Sequence, residues 1–112
     1  MLLDLARQLE PDGGMPGKND SERAERSLIA VLAFLIEGHT ATAGAFRTHV
    51  QRLLHFLEAS ELPGLSDLQR RVLGSALARI KRGDAPPKWE VGELLACKDR
   101  KAWAKIAEFT TG

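Results

Sequence analysis

The stretch NDSERAERSLIAVLAFLIEGHT, residues Asn19–Thr40, decides the fold of this chain. Its first part is charged, and it then becomes a nine-residue apolar run, Leu28–Ile36. A helix that is apolar on every side is buried in protein or in lipid. Because nine residues are far fewer than the ~20 needed to cross a bilayer, the run predicts a central helix enclosed by the other segments.

The same stretch indicates where this helix begins and ends. Asn19 is followed three residues later by Glu22, an arrangement that caps the first free amides of a helix near Asp20. Gly38 follows the apolar run and is placed to end the helix in a left-handed turn.

Two further helices are predicted on either side of the central one. The first spans residues 1–10, has leucines at helical spacing, and ends at the turn segment Pro11–Gly17. The third spans about Ala43–Glu61, with Thr40 or Thr42 as its cap. Its apolar residues recur on one face: Phe46, Val50, Leu53, Leu54 and Leu57.

A fourth helix is predicted from Ser66, which forms a second capping pair with Gln69, to Gly83. Its apolar residues are expected to face inward: Leu68, Val72, Leu73, Ala76, Leu77 and Ile80.

Beyond the connector DAPPK, residues 84–88, the helical pattern is weaker. It predicts a short helix around Leu94 and another, capped by Asp99, around Ile106, or else one continuous helix interrupted near Lys98.

No segment alternates with the period of a strand, so we expect an all-α fold. We predict a compact bundle of five or six helices, built from antiparallel helical hairpins. The chain is expected to form one domain over residues 1–112, with a core bundle at 1–83 and a C-terminal helical pair at 88–110 docked on it. One pattern occurs twice, about 50 residues apart: a helix with a Leu-Leu pair, a turn with Pro and Gly, and a capped helix. Such an offset is typical of helical-hairpin repeats.

Length and composition agree with such a domain. The chain has 112 residues, of which 44% are hydrophobic, and a formal charge of +1. This near-neutral charge disfavours binding to nucleic acid through phosphate contacts. The lone Cys97 excludes an internal disulfide. Met1 is followed by no basic region of a signal peptide, and because the chain starts within a predicted helix we expect it to be part of a longer polypeptide.

Two strings carry a resemblance to known families: ARQLEPDGGMPG, residues 6–17, and SLIAVLAFLIEGHTATAGAFRTHVQRLLHFLEA, residues 27–59. They resemble the C-terminal helical region of bacterial proteins with a vault/inter-α-trypsin (VIT) domain and a von Willebrand factor A domain. They are also similar to the α/α repeat of terpene-cyclase-like toroids. The chain has Met15 where a cyclase has an aromatic residue, and it lacks the acidic DxDD motif. The first family is therefore favoured.

The chain shows no catalytic or metal-binding pattern. Counting an EF-hand loop from Asp12 places Arg23 where the twelfth-position glutamate is required. His49 and His55 lie six residues apart on the third helix, so they do not share a face. The serines lie in no G-x-S-x-G elbow, and Cys97 has no evident histidine partner. We therefore expect no enzyme activity, cofactor or metal.

A candidate interaction surface comprises the two tryptophans and the basic residues of the fourth helix: Trp89, Trp103, Arg70, Arg71, Arg79, Lys81 and Arg82. If exposed, the tryptophans would anchor an interface; if buried, they would hold the C-terminal helices on the bundle, which we favour.

The sequence thus predicts a non-catalytic interaction or scaffolding module that binds a protein partner or other domains of its own polypeptide, without membrane insertion. The VIT-type resemblance implies such an appendage. The toroid resemblance implies instead a helical-repeat fragment of an enzyme, in which Asp12 and His39 would line a concave site. A third alternative is nucleic-acid binding through the fourth helix.

Overall fold

Helix α2, Asp20–Ile36, forms the centre of the fold. The structure is a computed structural model that describes residues 2–59, 61–86 and 88–111. Every residue from Leu28 to Phe34 is fully shielded from solvent, whereas Leu35 and Ile36 are half-buried near the helix end. The prediction of a buried central helix is therefore confirmed.

The described residues are all-helical and contain no strand, which confirms the predicted fold class. In addition to α2 they form α1 Leu2–Arg7, α3 Arg47–Ala59, α4 Asp67–Lys81, α5 Val91–Ala96 and α6 Arg100–Thr111. Each of these five helices packs directly against α2. Along these ranges, no helix is both long and apolar enough to cross a membrane.

Local signals define both ends of α2 and the start of α4. The Asn19 side chain accepts a hydrogen bond of 2.9 Å from the Glu22 amide, and Gly38 has a φ of 90°. For α4, the Ser66 side chain accepts from the Gln69 amide and the Gln69 side chain accepts from the Ser66 amide. These caps were predicted from the sequence, because capping depends on residues only three positions apart.

Helix α3 begins at Arg47, four residues later than the predicted start at Ala43. The Thr40 hydroxyl accepts hydrogen bonds from the amides of Thr42 (3.2 Å) and Ala43 (3.1 Å). Gly44 follows with a φ of 95°. Thr40 therefore stabilises a turn between α2 and α3, and it does not cap a helix as predicted.

Helices α2 and α3 form an antiparallel pair. The rings of Phe34, near the end of α2, and Phe46, just before α3, have centroids 5.2 Å apart. At the other end of the pair, the guanidinium of Arg23 lies 4.6 Å from the centroid of the Phe56 ring. The end of one helix thus lies beside the start of the other.

Helix α4 packs most closely on α6. The starts of these two helices line the same groove, and Arg79 near the end of α4 lies 5.2 Å from the ring of Phe109 near the end of α6. The two helices therefore run in the same direction. The two copies of the predicted hairpin repeat therefore pack differently, because the main packing partner of α4 is α6, in the C-terminal region.

The C-terminal helices complete the core. Helix α5 packs on α2, and α6 packs on both α2 and α4. Leu94, Ala102 and Ile106 are fully shielded from solvent. The chain turns sharply between α5 and α6, where Asp99 has a φ of 56°, so the alternative of one continuous helix through Lys98 is wrong.

The turn between α1 and α2 is held by Arg23. Its guanidinium lies 2.8 Å from a carboxylate oxygen of Asp12 and 3.0 Å from one of Glu10, and its Nε donates to the carbonyl of Met15. The hydrogen bond with Arg23 lowers the pKa of Asp12 below its ordinary value. The same side chain covers the Phe56 ring, so it joins the turn, α2 and α3.

Gly13 and Gly14 allow this turn to lie directly on α3. A Cβ atom at Gly13, which has a φ of 91°, would lie 2.5 Å from the carbonyl oxygen of Arg52. A Cβ atom at Gly14 would lie 2.8 Å from the ring of Phe56. Gly13 and Gly14 are therefore explained by the close approach of the turn to the backbone of Arg52 and to the ring of Phe56.

We predict that Gly13→Ala destabilises the protein by about 2 kcal/mol or more, since it combines left-handed strain with a backbone clash. The matched control is Gly74→Ala in the exposed interior of α4, where a Cβ would meet nothing within 4 Å. This control should stabilise the protein by ~0.5–1 kcal/mol, as expected for a helical glycine. Urea denaturation measures both effects, and equal midpoints for wild type and Gly13→Ala would contradict the described turn.

Candidate functional site

A groove of about 570 Å³ lies where the first turns of α2, α4 and α6 meet. Its volume is within the range of ~300–1,000 Å³ that is typical of ligand pockets. One wall is apolar and comes from α4 and α6, whereas the end formed by α2 is polar. The groove thus has an apolar surface beside a group of charged side chains.

The apolar wall follows from helical spacing. Leu68 and Val72 lie four residues apart on α4, and Trp103, Ala104 and Ala107 lie on one face of α6. Leu68 is 66% exposed, so the prediction that it faces the core is wrong. The two alanines are too short to fill the space beside it, which leaves the groove open.

Glu25 lies at the polar end and is only 3% exposed. One of its carboxylate oxygens accepts a hydrogen bond of 3.1 Å from the backbone amide of Asp99. Desolvation by burial raises the pKa of Glu25 above its ordinary value, and the hydrogen bond from Asp99 opposes this effect.

This hydrogen bond corresponds to one half of a capping box for α6, and it comes from another helix. In a capping box, the glutamate at the third helical position accepts from the backbone amide of the cap residue. The third position of α6 is Ala102, which has no acceptor, and Glu25 of α2 supplies one to Asp99 instead. Glu25 therefore fixes the start of α6 and with it the apolar wall.

Arg26 holds the same region from the next position of α2. Its guanidinium donates to the carbonyl of Cys97 at 2.9 Å and to that of Leu95 at 3.3 Å. Two consecutive residues of α2 thus fix the connection between α5 and α6.

The basic residues of the predicted interaction surface lie mostly in local contacts. Arg79 and Arg82 approach the Asp84 carboxylate at 3.2 and 2.8 Å, and Lys81 approaches Glu58 at 3.1 Å. The hydrogen bond with Arg82 lowers the pKa of Asp84.

The other two basic residues of the predicted surface are Arg70 and Arg71. Arg70 donates a hydrogen bond to the carbonyl of Leu62, and Arg71 is exposed. These placements spread the positive charge over several contacts and do not gather it in one binding site.

The two tryptophans have different surroundings. Trp89 is half-buried, and the ammonium of Lys105 lies 4.6 Å from the centroid of its ring. Trp103 is also half-buried and packs against the core while lining the groove. Its indole N–H is buried without an acceptor among the described residues. Of the predicted surface residues, Trp103 is the one that reaches the groove.

Asp12 and His39 lie at opposite ends of α2. Asp12 pairs with Arg23 in the first turns of the helix, whereas His39 follows its end and packs on Phe34. Eleven residues separate Arg23 from Phe34, which corresponds to about 16 Å along a helix. The enzyme-fragment alternative therefore has no concave site shared by these two residues.

The other candidate ligands make contacts that are typical of packing. His39 and His49 pack around the rings of Phe34 and Phe46, and Cys97 donates to the carbonyl of Glu93. The residues that the structure describes contain no group of three or more His, Cys, Asp or Glu side chains that could hold a metal ion.

Sequence reasoning missed Leu68 and Glu25 as site residues. Both have ordinary positions in their own helices, and their roles depend on α6, which is distant in sequence.

Compared with known proteins, the chain matches no family model, no curated protein sequence and no solved structure.

We predict that Glu25→Gln makes stability less dependent on pH. Because the pKa of Glu25 is raised in the folded state, this state binds the proton more tightly than the unfolded state does. As pH falls from 7 through the raised pKa toward 4.5, the wild type should gain stability relative to the variant. Urea denaturation at several pH values measures this difference.

The control is Glu37→Gln, which changes an exposed carboxylate after the end of α2. It should follow the wild type across the same range. If the curves of stability against pH for Glu25→Gln and for the wild type are also parallel, burial does not raise the pKa of Glu25.

Proposed function

We propose that this chain is a non-catalytic protein–protein interaction module that receives an amphipathic helix of a partner protein in the groove between α4 and α6. The observation that carries this proposal is the exposure of Leu68, at 66%, beside an open apolar wall. In helix-in-groove recognition, apolar side chains at positions i, i+3 or i+4, and i+7 enter a groove of this kind.

The composition of the groove supports a protein ligand. Trp103 supplies a large, half-buried aromatic surface, and tryptophan is enriched among residues that dominate binding energy. Polar side chains of Asn19, Ser66 and Gln69 surround the apolar wall. An apolar centre with a polar rim is the usual arrangement of protein interfaces.

The resemblance to the C-terminal helical region of bacterial VIT and von Willebrand A proteins supports the same function. Under this proposal, the chain is the helical part of a larger multidomain protein. The module would then add a binding surface to the domains that accompany it.

The test uses peptides selected from a random display library on the wild-type protein. We expect selected peptides to carry apolar residues at helical spacing and to lose at least tenfold in affinity for Leu68→Asp, since burying an unpaired carboxylate opposes binding. Leu68 is exposed in the first turn of α4, where an aspartate is compatible with the helix dipole, so the variant should fold.

Ser75→Asp is the matched control, because it adds the same charge to an exposed position of α4 outside the groove. Titration calorimetry measures the affinities. Failure to select any binder, or equal affinity for wild type and Leu68→Asp, would refute the proposed function.

A further inference from the structure

The groove places a buried carboxylate next to its apolar wall. Glu25 is 3% exposed, and the ion pairs found among the described residues do not include it. Its hydrogen bond comes from the backbone amide of Asp99, which carries no net charge. Buried carboxylates are rarely left without a cationic partner, because the cost of removing their charge from water is large.

The nearest candidate cation in the sequence is directed elsewhere. Arg26 follows Glu25 directly, but its guanidinium donates to the carbonyls of Leu95 and Cys97. Lys18, Arg26 and Lys98 line a second cleft of about 390 Å³, which Glu22, Glu25 and Asp99 also line.

On the groove side, the charges are mainly negative. Glu22, Glu25 and Asp99 line the groove, and Arg100 is the cation that faces it from α6. Burial is the main cause that raises the pKa of Glu25, and the charges of Asp99 and Glu22 add to it, whereas the hydrogen bond from the Asp99 amide and the charge of Arg26 lower it. A ligand that brings a positive charge would therefore relieve both the desolvation and the repulsion.

We propose that the helix bound in the groove carries a lysine or arginine that pairs with Glu25 and Glu22 while its apolar residues contact Leu68 and Trp103. This inference rests on the function proposed above and specifies the chemistry of its partner. Lysine and arginine suit the site because their aliphatic stems lie on apolar surface while the charged group reaches a carboxylate.

The experiment is a double-mutant cycle between protein and peptide. The protein variants are wild type and Glu25→Gln, since glutamine retains the acceptor for Asp99. The peptides are a Leu68-dependent binder from the selection and the same peptide with its basic residue replaced by norleucine. Titration calorimetry at two salt concentrations measures the four affinities, and circular dichroism checks that Glu25→Gln is folded.

We expect the norleucine peptide to bind the wild type about 10- to 100-fold more weakly, as for the loss of a charged hydrogen bond. The two peptides should bind Glu25→Gln with similar affinities. Glu37→Gln, at the other end of α2, should behave as wild type. If Glu25→Gln does not fold, the comparison of the two peptides on the wild type, repeated with Glu22→Gln, decides the question.

The outcomes separate this inference from the proposed function. Binders that depend on Leu68 but lack a basic residue, or show no coupling to Glu25 or Glu22, overturn the inference and leave the proposed function intact. Peptides that bind the wild type and Leu68→Asp with equal affinity overturn both the inference and the proposed function.

Discussion

The structure depends on the need to cover α2 on every side. A helix in a small protein usually buries one stripe, but the residues from Leu28 to Phe34 are shielded around the full circumference. Each fully buried large aliphatic side chain contributes ~1.5–3 kcal/mol, and one neighbouring helix covers only one side. All five other helices therefore pack on α2, including α5 and α6. This requirement explains why the C-terminal pair is part of the core and not an appendage to a finished bundle.

Two charged residues near the start of α2 determine how the surrounding helices are placed. Arg23 pairs with Asp12 and covers Phe56, so it fixes the first turn of the chain against α3. Glu25 accepts a hydrogen bond from Asp99 and fixes the start of α6. Because side chains two positions apart on a helix point in different directions, these residues hold opposite neighbours. Polar contacts at the start of α2 thus position the helices that pack on its apolar part.

Local signals in the sequence were sufficient for the caps of α2 and α4, but not for the start of α3, where Thr40 forms a turn. The caps at Asn19 and Ser66 lie within four residues of their partners, and the apolar run identified the centre. Leu68 could not be placed in this way, because helical periodicity gives the face of a residue but not the neighbour that covers it. Its exposure follows from the short side chains of Ala104 and Ala107 on α6, which lie far along the chain. The groove is therefore a property of the tertiary packing.

The charge of Glu25 is the feature that the fold alone explains least. Its structural role is to accept one hydrogen bond from the Asp99 amide, and a glutamine oxygen would do the same without the cost of burying a charge. Charge at this position therefore costs stability, since the described residues provide it with no ion pair. Carboxylates with a pKa perturbed by burial are frequent at functional sites. The same hydrogen bond fixes α6, which carries Trp103 and part of the apolar wall. A cation bound at Glu25 and apolar groups bound at Leu68 would therefore contact one rigid surface.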